Sequence, residues 1–389
     1  MTAVFSNKTA IVGYGATEFS KNSGRSELRL AIEATLAALE DAGLDPAEVD
    51  GMATYTIDNN YEQEIFRAIG GRDLKFFSRI GSGGGAACAP LQQAALAVAT
   101  GVANVVVCYR AMNERSEYRF GAPLQVMAPT SENVLFAYNG AQGLFTPAAM
   151  IALSMQRYMH ETGATSEDFA NYSIAARRHA ATNPNAFFYG KPITREDYLA
   201  SRPIADPLRL LDCCQESDGG VAVVVTSAER ARSLRQKPVL IRGAAQGSPR
   251  GMVPMTSYYK PDIVPRDECA AAARQIYAQA RLEPKDIQVA ILYDHFGPTV
   301  LPSLEAYGFC AHGEAKDFIK NGNIELGGTL PVNTHGGQLG EAYIHGMNGV
   351  AEAVRQLRGT AVNQVPGVHN VLVTGGSAVP TSAAILGID

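Results

Sequence analysis

The chain has 389 residues, 46% hydrophobic and 18% charged, which is enough for one to three domains with large buried cores. The formal net charge of −5 and the lack of a Lys/Arg cluster argue against nucleic-acid binding, which requires concentrated positive charge. The sequence has neither a secretion signal nor a run of about 18 apolar residues, so we expect a cytoplasmic protein without a membrane span.

The first part of the chain predicts a mixed α/β unit. An Ala-rich helical stretch at 30–39 leads through the turn AGLDPAEV, residues 42–49, into a strand-like run at 51–56. Residues 81–107 then combine a Gly-rich turn, a helix and the apolar run GVANVVV, which predicts a buried strand.

A long insertion interrupts this pattern. Residues 112–209 contain a helical segment from Pro147 to Thr162 and have no counterpart later in the chain. Insertions of this size usually have a function, so we predict a functional lid or a substrate-binding subdomain. Residues 210–235 predict an apolar strand followed by the beginning of a helix. Together with residues 1–111, they complete the first half.

The second half, residues 236–389, repeats the first. ARLEPKDI at 280–287 matches the earlier turn in spacing, and GVHNVLV at 367–373 matches the earlier predicted strand. Another Gly-rich turn opens a helix within 335–359. Two copies of one α/β unit are therefore predicted.

Neither a metal nor a dinucleotide cofactor is expected. The glycines at 81–86 fit the dinucleotide fingerprint only formally, because KFFSRI before them is a poor central strand and no acidic residue follows at about 20 residues. The six cysteines lack metal-ligand or disulfide spacing, and His335 and His345 lack a further ligand. Cys88 falls inside the predicted helix and is expected to be a buried structural thiol.

Three segments together resemble the thiolase superfamily, in particular its sterol-carrier-protein-x and lipid-transfer-protein branch. They are GVANVVVCYRAM at 101–112, LLDCCQESDGGVAVVVTSAERA at 210–231 and NTHGGQLGEAYIHGMNG at 333–349. The likeness covers nearly the whole chain. It implies the thiolase fold, in which duplicated βαβαβαββ halves form a five-layer α/β/α/β/α core and an inserted loop domain binds the acyl-CoA.

The sequence departs from that family at its catalytic positions. Gly84 stands at the nucleophilic cysteine, Tyr343 at the histidine of the Gly-His-Pro motif, Tyr293 at the Asn or His of another motif, and Val373 at the second cysteine. Glycine has no side chain to attack a thioester. Chemistry through an acyl-enzyme is therefore excluded.

Two tyrosines at these positions resemble the thiolase-like aldolases of steroid side-chain degradation in actinobacteria. The resemblance implies retro-aldol cleavage of a steroid 17-hydroxy-20-carboxyl-CoA to a 17-keto steroid and propionyl-CoA, with no cofactor except the CoA of the substrate. The alternative is a noncatalytic thiolase-like subunit that binds acyl-CoA or a lipid within a larger complex. The fold alone does not separate the two.

We assign Tyr343 as the base and Tyr293 as the proton donor, because a helix predicted to begin near Met347 would favour the Tyr343 anion. A phenol titrates near 10, so a base at pH 7 lacks about 3 pH units, or about 4 kcal/mol. His345 and His295 are candidates to supply the difference as hydrogen-bond donors, provided that they lie alongside the tyrosines.

Backbone amides of Gly84 and Gly376 are expected to form the oxyanion hole for the thioester oxygen, as the resemblance implies. If the tyrosines only pack, the catalytic groups should be sought among the polar residues near them: His295, Asp294, His345 and Glu341.

The resemblance also implies protein partners. A homodimer is expected to form through the predicted strand Asn104 to Cys108, where a two-fold interface would be self-complementary. A small OB-fold, zinc-ribbon protein that binds acyl-CoA is expected as a second partner. The resemblance implies that the inserted loop domain, residues 112–209, binds this partner as well as the acyl-CoA substrate.

Overall fold

The computed structural model describes residues 4–56, 60–117, 119, 134–255 and 260–389, without the side chains of 134–137. Residues 120–133 of the predicted insertion lie outside the described residues. In the described part of the chain, no helix combines the length and the apolar character needed to cross a membrane.

Strands and helices alternate in both halves. The first half and its insertion contain β1 (Thr9–Ala16), α1 (Glu27–Ala42), β2 (Gly51–Tyr55), α2 (Glu62–Ala68), β3 (Phe76–Ile80), α3 (Ala89–Ala99), β4 (Val106–Asn113), α4 (Val134–Ala141), α5 (Pro147–Thr162), α6 (Ser166–Thr182), α7 (Arg195–Ala200), β5 (Pro203–Ala205), β6 (Leu208–Arg209), β7 (Asp218–Ser227) and α8 (Ala228–Ala231). The second half contains β8 (Val239–Gly247), α9 (Asp267–Ala280), β9 (Val289–Ile291), α10 (Val300–Ala306), α11 (Ala315–Phe318), α12 (Gly337–Gly340), α13 (Met347–Arg358), β10 (Asn370–Thr374) and β11 (Thr381–Gly387). Side-chain caps start several of these helices, as Ser26 does for α1 and Thr165 for α6.

Within the described residues, a nine-stranded sheet has the order β3-β2-β4-β7-β1-β8-β11-β10-β9. From its centre outward, each half repeats two antiparallel pairings followed by a parallel one. In the second half, a parallel bridge between Ala290 and Val332 occupies the place of β3. The halves join where Ala10 pairs with Leu240 and Ile11 with Val239. The predicted duplication is confirmed.

The two halves of the sheet enclose α3 and α13. One apolar cluster contains Leu91 of α3 and Val350 of α13 together with inward-facing residues of both halves, such as Val223 and Val373. The next residue along β7, Val224, faces the opposite way, toward α1. Because α1 covers the outer face of the first half and α9 that of the second, the chain has the expected five layers.

The insertion packs on the second half of the fold. Its helices α5, α6 and α7 share an apolar cluster with α9 and α10. Tyr158 and Tyr172 are buried there, and their hydroxyl groups donate to Glu305 and Asp294 at 2.6 and 2.7 Å. A segment inserted into one half therefore supports the other half.

Equivalent polar side chains hold the repeated turns to the repeated strands. Asp50 follows the first turn, and its Oδ1 accepts from the N–H groups of residues 104 and 105 at 2.8 and 2.9 Å. Gln288 follows the second turn, and its Oε1 accepts from the N–H groups of residues 369 and 370 at 3.1 and 2.8 Å. The duplication thus extends to this anchor, with a carboxylate in one copy and an amide in the other.

Cys88 immediately precedes α3, because a tight turn at Gly83–Ala86 comes before the helix. Its thiol is buried and lies 3.6 Å from the Val373 carbonyl oxygen. Burial raises the pKa of this thiol to about 12. The predicted burial of Cys88 is confirmed, whereas its predicted position inside the helix is wrong, because α3 begins only at Ala89.

The predicted dimer strand lies inside the sheet. Asn104 to Cys108 overlaps β4, which pairs with β2 on one side and with β7 on the other. Its backbone groups are already bonded, so a second chain cannot add there, and this prediction is wrong. The edge of the first half is β3, the KFFSRI segment, where Phe77 is 57% exposed.

Asp50→Asn should lower the free energy of unfolding by about 2 kcal/mol at pH 7, because it weakens hydrogen bonds to a charged group. Burial alone would raise the pKa of Asp50, but the backbone hydrogen bonds from Val105 and Asn104 outweigh it and hold that pKa below the ordinary value. A lowered folded-state pKa means that the stabilisation is complete above the unfolded pKa, about 4, and is lost as pH falls through the folded value.

Urea unfolding of the parent and of Asp50→Asn from pH 3 to 7 should therefore give curves that converge at low pH. Asp45→Asn is a suitable control, since Asp45 is an exposed helix cap that Asn replaces well. Parallel stability curves for parent and Asp50→Asn would contradict the assignment.

Candidate active site

Tyr293 and Tyr343 meet at their hydroxyl groups. The two oxygen atoms are 2.9 Å apart, and the rings are nearly perpendicular, at 77° with 6.3 Å between centroids. Both residues are buried, with 5% and 6% of their surface exposed. The structure therefore brings together the two side chains that the sequence singled out.

Backbone hydrogen bonds hold the two tyrosines at the junction of the halves. Tyr293 follows β9, and its N–H donates to Oγ1 of Thr374 at the end of β10, at 2.9 Å. Tyr343 lies between α12 and α13, and its N–H donates to the Gln215 carbonyl at 3.1 Å and lies 3.2 Å from Oγ of Ser217. Because residues 215–217 precede β7 of the first half, the pair forms only when the two halves are packed together.

The Tyr293 ring lies against glycines of three separate turns. A Cβ atom at Gly84 would be 1.9 Å from the Tyr293 hydroxyl oxygen, one at Gly346 would be 2.8 Å from Cε2, and one at Gly376 would be 3.1 Å from Cε1. Gly346 also has a φ of +93°, which favours glycine. The three turns precede α3, precede α13 and follow β10, so elements from both halves form the seat of the ring.

The close packing of the Tyr293 ring explains why residue 84, the position of the nucleophilic cysteine in family thiolases, is a glycine. A cysteine at 84 would place its Cβ well inside the van der Waals contact distance of the Tyr293 hydroxyl oxygen. A thiol at that position and this phenol therefore exclude each other in the observed geometry.

Burial keeps both phenols protonated at neutral pH. Desolvation raises the pKa of Tyr293 and of Tyr343 well above the ordinary value, although the hydrogen bond from Tyr343 partly lowers that of Tyr293. For Tyr343, the neighbouring phenol, Cys214 and Glu114 raise the pKa further. The helix does begin at Met347 as predicted, but desolvation outweighs any benefit of its N-terminus to a Tyr343 anion.

The two predicted histidines lie beside the tyrosines. The ring centroid of His295 is 5.2 Å from that of Tyr293, and that of His345 is 5.5 Å from that of Tyr343. Burial lowers the pKa of His295 to about 4 and the pKa of His345 well below the ordinary value, with the Arg110 charge adding to the effect at His345. Both imidazoles are therefore neutral at pH 7.

Asp294 points away from the tyrosines. Its carboxylate accepts from the Tyr172 hydroxyl at 2.7 Å and from the Gln338 N–H at 2.8 Å, and burial raises its pKa. Alternation along the extended segment explains the difference, since Tyr293 and His295 face the site while Asp294 faces α6 and α12. The structure does not bring Asp294 to the tyrosine pair.

The Glu341 side chain also bonds to residues outside the tyrosine pair. Its carboxylate accepts from Arg355 at 3.0 Å and from Asn348 at 2.9 Å, and Nε2 of His335 lies 3.9 Å from it. His335 and His345 thus have different partners. Among the described residues, no group of three or more His, Cys, Asp or Glu side chains is arranged to hold a metal ion.

The two backbone amides predicted for the oxyanion hole differ in availability. The Gly376 N–H donates to the Gly84 carbonyl at 2.9 Å, so it is engaged within the protein. The Gly84 N–H has no hydrogen-bond acceptor among the described residues. Of the pair, only Gly84 offers an amide to a ligand without breaking a bond.

Sequence reasoning missed three polar residues around the site. Arg110 is fully buried in β4 and lies 2.7 Å from Nδ1 of His345. Glu114 and Cys214 are close enough to raise the pKa of both tyrosines, and burial raises the pKa of the Cys214 thiol itself. A charge inside the apolar run VVCYRAM was the available signal for Arg110, whereas no spacing distinguished the other two.

Known proteins resemble the chain in sequence. Residues 254–388 match the family described as "Thiolase C-terminal domain-like". The chain is 61% identical over 389 residues, 99% of its own length and 100% of the relative's, to a 17-hydroxy-3-oxo-4-pregnene-20-carboxyl-CoA lyase of Mycobacterium tuberculosis. It is 60% identical, over 100% of both chains, to a steroid side-chain-cleaving aldolase of Thermomonospora curvata.

The fold agrees with these relatives. The solved structure of an Ltp2-ChsH2(DUF35) aldolase has a TM-score of 0.95 and 60% sequence identity, covering 100% of this chain and 99% of that one. Sequence and architecture therefore match over the same length. The chain belongs to the thiolase superfamily, to its family of thiolase-like aldolases that cleave steroid side chains.

Proposed function

We propose that this chain cleaves a carbon–carbon bond of a steroid β-hydroxyacyl-CoA by a retro-aldol reaction. The substrate is a 17-hydroxy-20-carboxyl-CoA, and the products are a 17-keto steroid and propionyl-CoA. The hydroxyl contact between Tyr293 and Tyr343 beside Gly84 is the observation that supports this chemistry. The names of the two relatives support the steroid substrate.

The reaction breaks one bond and moves one proton. The β-hydroxyl loses its proton and its carbon becomes the ketone, while the electron pair of the Cα–Cβ bond forms the thioester enolate. The enolate carbon then takes up a proton and gives propionyl-CoA. Because atoms and electrons balance without an oxidant or reductant, we propose that no cofactor takes part.

The two phenols transfer the proton as a relay. Tyr343 accepts the proton of the substrate hydroxyl while passing its own proton to Tyr293, and Tyr293 protonates the enolate carbon. A concerted relay forms no free phenolate, which would cost about 4 kcal/mol at pH 7 even for an unburied tyrosine. The raised pKa values of both phenols thus suit the mechanism. Tyr343 remains the base, because it accepts the proton of the substrate hydroxyl.

Hydrogen-bond donors stabilise the enolate oxygen. The Gly84 N–H is available and lies where the thioester of family thiolases would react. His295 adds a buried Nδ1 that has no hydrogen-bond partner among the described residues, and it lies beside Tyr293 for contact with the substrate. Both groups are uncharged, so they stabilise developing charge without competing for the proton.

We also propose a homodimer and a second protein partner. The exposed edge strand β3 replaces β4 as the dimer strand, because its outer backbone groups are not paired within the described sheet. The solved relative includes a DUF35 component in its name, which supports the expectation of an OB-fold, zinc-ribbon partner that binds acyl-CoA. A cytoplasmic location remains a proposal that rests on the sequence.

The activity is tested by incubating the chain, alone and with such a partner, with the 17-hydroxy-20-carboxyl-CoA of a steroid. We expect equal amounts of the 17-keto steroid and propionyl-CoA by mass spectrometry. A substrate lacking the 17-hydroxyl should give neither product. Binding of the thioester without cleavage under all conditions would favour the noncatalytic acyl-CoA-binding subunit instead.

In the same assay, Tyr343→Phe and Tyr293→Phe should each lower kcat about 10² to 10⁴-fold, the range for loss of a general acid or base. The melting temperature should change little, because only a hydroxyl is removed. Tyr307→Phe is a matched control, since the Tyr307 hydroxyl is buried away from the site without a partner among the described residues. Activity within about threefold of the parent for both site variants would make the tyrosines packing residues.

Gly84→Ala should displace the Tyr293 ring, destabilise the protein by about 1–3 kcal/mol and reduce kcat strongly. Gly81→Ala in the same loop should be nearly neutral, because a Cβ there meets no atom within 4 Å. Adding Tyr293→Ala to Gly84→Ala should make the two stability losses less than additive, since the ring that collides is gone. Additive losses in thermal unfolding would refute direct contact.

Phe77→Asp should convert the dimer to a monomer of unchanged circular dichroism, because it puts a charge into the edge that pairs between chains. Val102→Asp is the control, as Val102 is similarly exposed (50%) but lies in the turn before β4. Sedimentation equilibrium at micromolar concentration measures the mass. A parent that already sediments as a monomer, or a Phe77→Asp variant that remains dimeric, would exclude this interface.

A further inference from the structure

A buried arginine, Arg110, contacts His345, the histidine that lies beside the Gly84 turn. Arg110, fully buried in β4, places Nη2 2.7 Å from Nδ1 of His345 and donates through Nη1 to the Tyr55 carbonyl at 2.6 Å. Its guanidinium carbon lies 4.8 Å from the centroid of the Tyr55 ring. Two hydrogen bonds and a ring face thus fix the guanidinium group.

This contact determines the tautomer of His345. Arginine has only donor hydrogens and stays protonated, so Nδ1 of His345 must be the acceptor in the 2.7 Å contact. A neutral imidazole carries its hydrogen on the other nitrogen, Nε2. Burial and the Arg110 charge both lower the pKa of His345, which supports the neutral ring.

The backbone at His345 is held in an uncommon conformation. Its φ is +53°, a left-handed value that is rare for residues with a side chain and that costs free energy unless neighbours enforce it. The Tyr55 hydroxyl donates to the His345 carbonyl at 2.8 Å and stabilises this turn. Tyr55 and Arg110 therefore hold the His345 backbone and ring together.

The Nε2 edge of the fixed His345 ring faces the loop that contains Gly84, the position of the nucleophilic cysteine in family thiolases. A Cβ at Gly83 would lie 3.6 Å from both Cε1 and Nε2 of His345, and a Cβ at Gly84 would lie 3.0 Å from Cδ2. The thioester oxygen gains negative charge beside Gly84 in the proposed reaction. The Gly376 amide already donates to the Gly84 carbonyl, so a third donor at this place would add to the stabilisation that the Gly84 amide and His295 provide.

We propose that His345 donates its Nε2–H to the enolate oxygen, and that Arg110 is the positioning residue that holds His345 in this tautomer and orientation. The assignment rests on the proposed aldolase function for the donor role of His345. The tautomer and its dependence on Arg110 do not depend on that function. The two parts are therefore tested separately.

The first test is spectroscopic and requires no substrate. Heteronuclear NMR of the full chain with labelled histidines at pH 7 should show His345 as a neutral ring protonated on Nε2, its signal being assigned by its loss in the His345→Gln variant. In Arg110→Gln the ring should lose this fixed tautomer, because an amide can donate or accept. Arg110→Lys, which only donates, should restore it. A parent ring protonated on Nδ1, or on both nitrogens, would overturn the proposal even if the Arg110 variants fail to fold.

The second test uses two amide replacements of His345 in the cleavage assay. Gln extends to place an N–H near the Nε2 position, whereas Asn keeps a group near Nδ1 and suits a positive φ but is too short to reach the substrate. We expect His345→Gln to keep kcat within about tenfold and His345→Asn to lose about 10² to 10³-fold, the loss for one oxyanion donor, with KM little changed.

The opposite order would overturn the donor role, because a purely structural His345 is replaced better by Asn than by Gln at this backbone conformation. Equal activity of both variants would overturn it as well. If the parent cleaves no β-hydroxyacyl-CoA, the proposed function fails. The NMR result then still decides whether Arg110 sets the tautomer.

Discussion

The Tyr293 phenol and the backbone of Gly84 approach so closely that residue 84 cannot carry a side chain while the phenol keeps its place. Their contact needs three turns at one point, those before α3, before α13 and after β10. The turns coincide because α3 and α13 share the apolar layer between the two halves of the sheet. The position of the phenol therefore depends on the packing of the whole duplicated fold.

Buried polar contacts around this layer keep the remaining turns in place. Asp294 ties α12 to α6 through the Gln338 amide and the Tyr172 hydroxyl, and Glu341 is held by Arg355. Removing one partner of such a buried set leaves an uncompensated polar group, which costs more than the contact itself contributes. These residues act on the tyrosine pair through the backbone, and the insertion contributes to the site in this way.

The site has a consistent electrostatic character. Desolvation raises the pKa values of the phenols and lowers those of the imidazoles, so all four rings are uncharged at pH 7. Neutral groups that both donate and accept suit a reaction in which one proton moves between two atoms of the same substrate. The Arg110 charge lies beside His345, and Glu114 is close enough to raise the pKa of both phenols.

The duplication, the glycine at position 84 and the two tyrosines can be read directly from the sequence, because repeats, turn residues and family motifs are patterns in the linear chain. The sequence also placed a histidine two positions after each tyrosine as a candidate donor, provided that alternation along the segment brings it alongside. The structure shows both histidines beside the tyrosines. The folded structure was needed to show that Asp294 faces the other way, that the Gly376 amide is already bonded, and that β4 is an inner strand. It alone paired Arg110 with His345, which are 235 positions apart. Local patterns report periodicity and chemistry, whereas hydrogen-bond partners and burial across such separations arise only when the two halves of the sheet pack around α3 and α13.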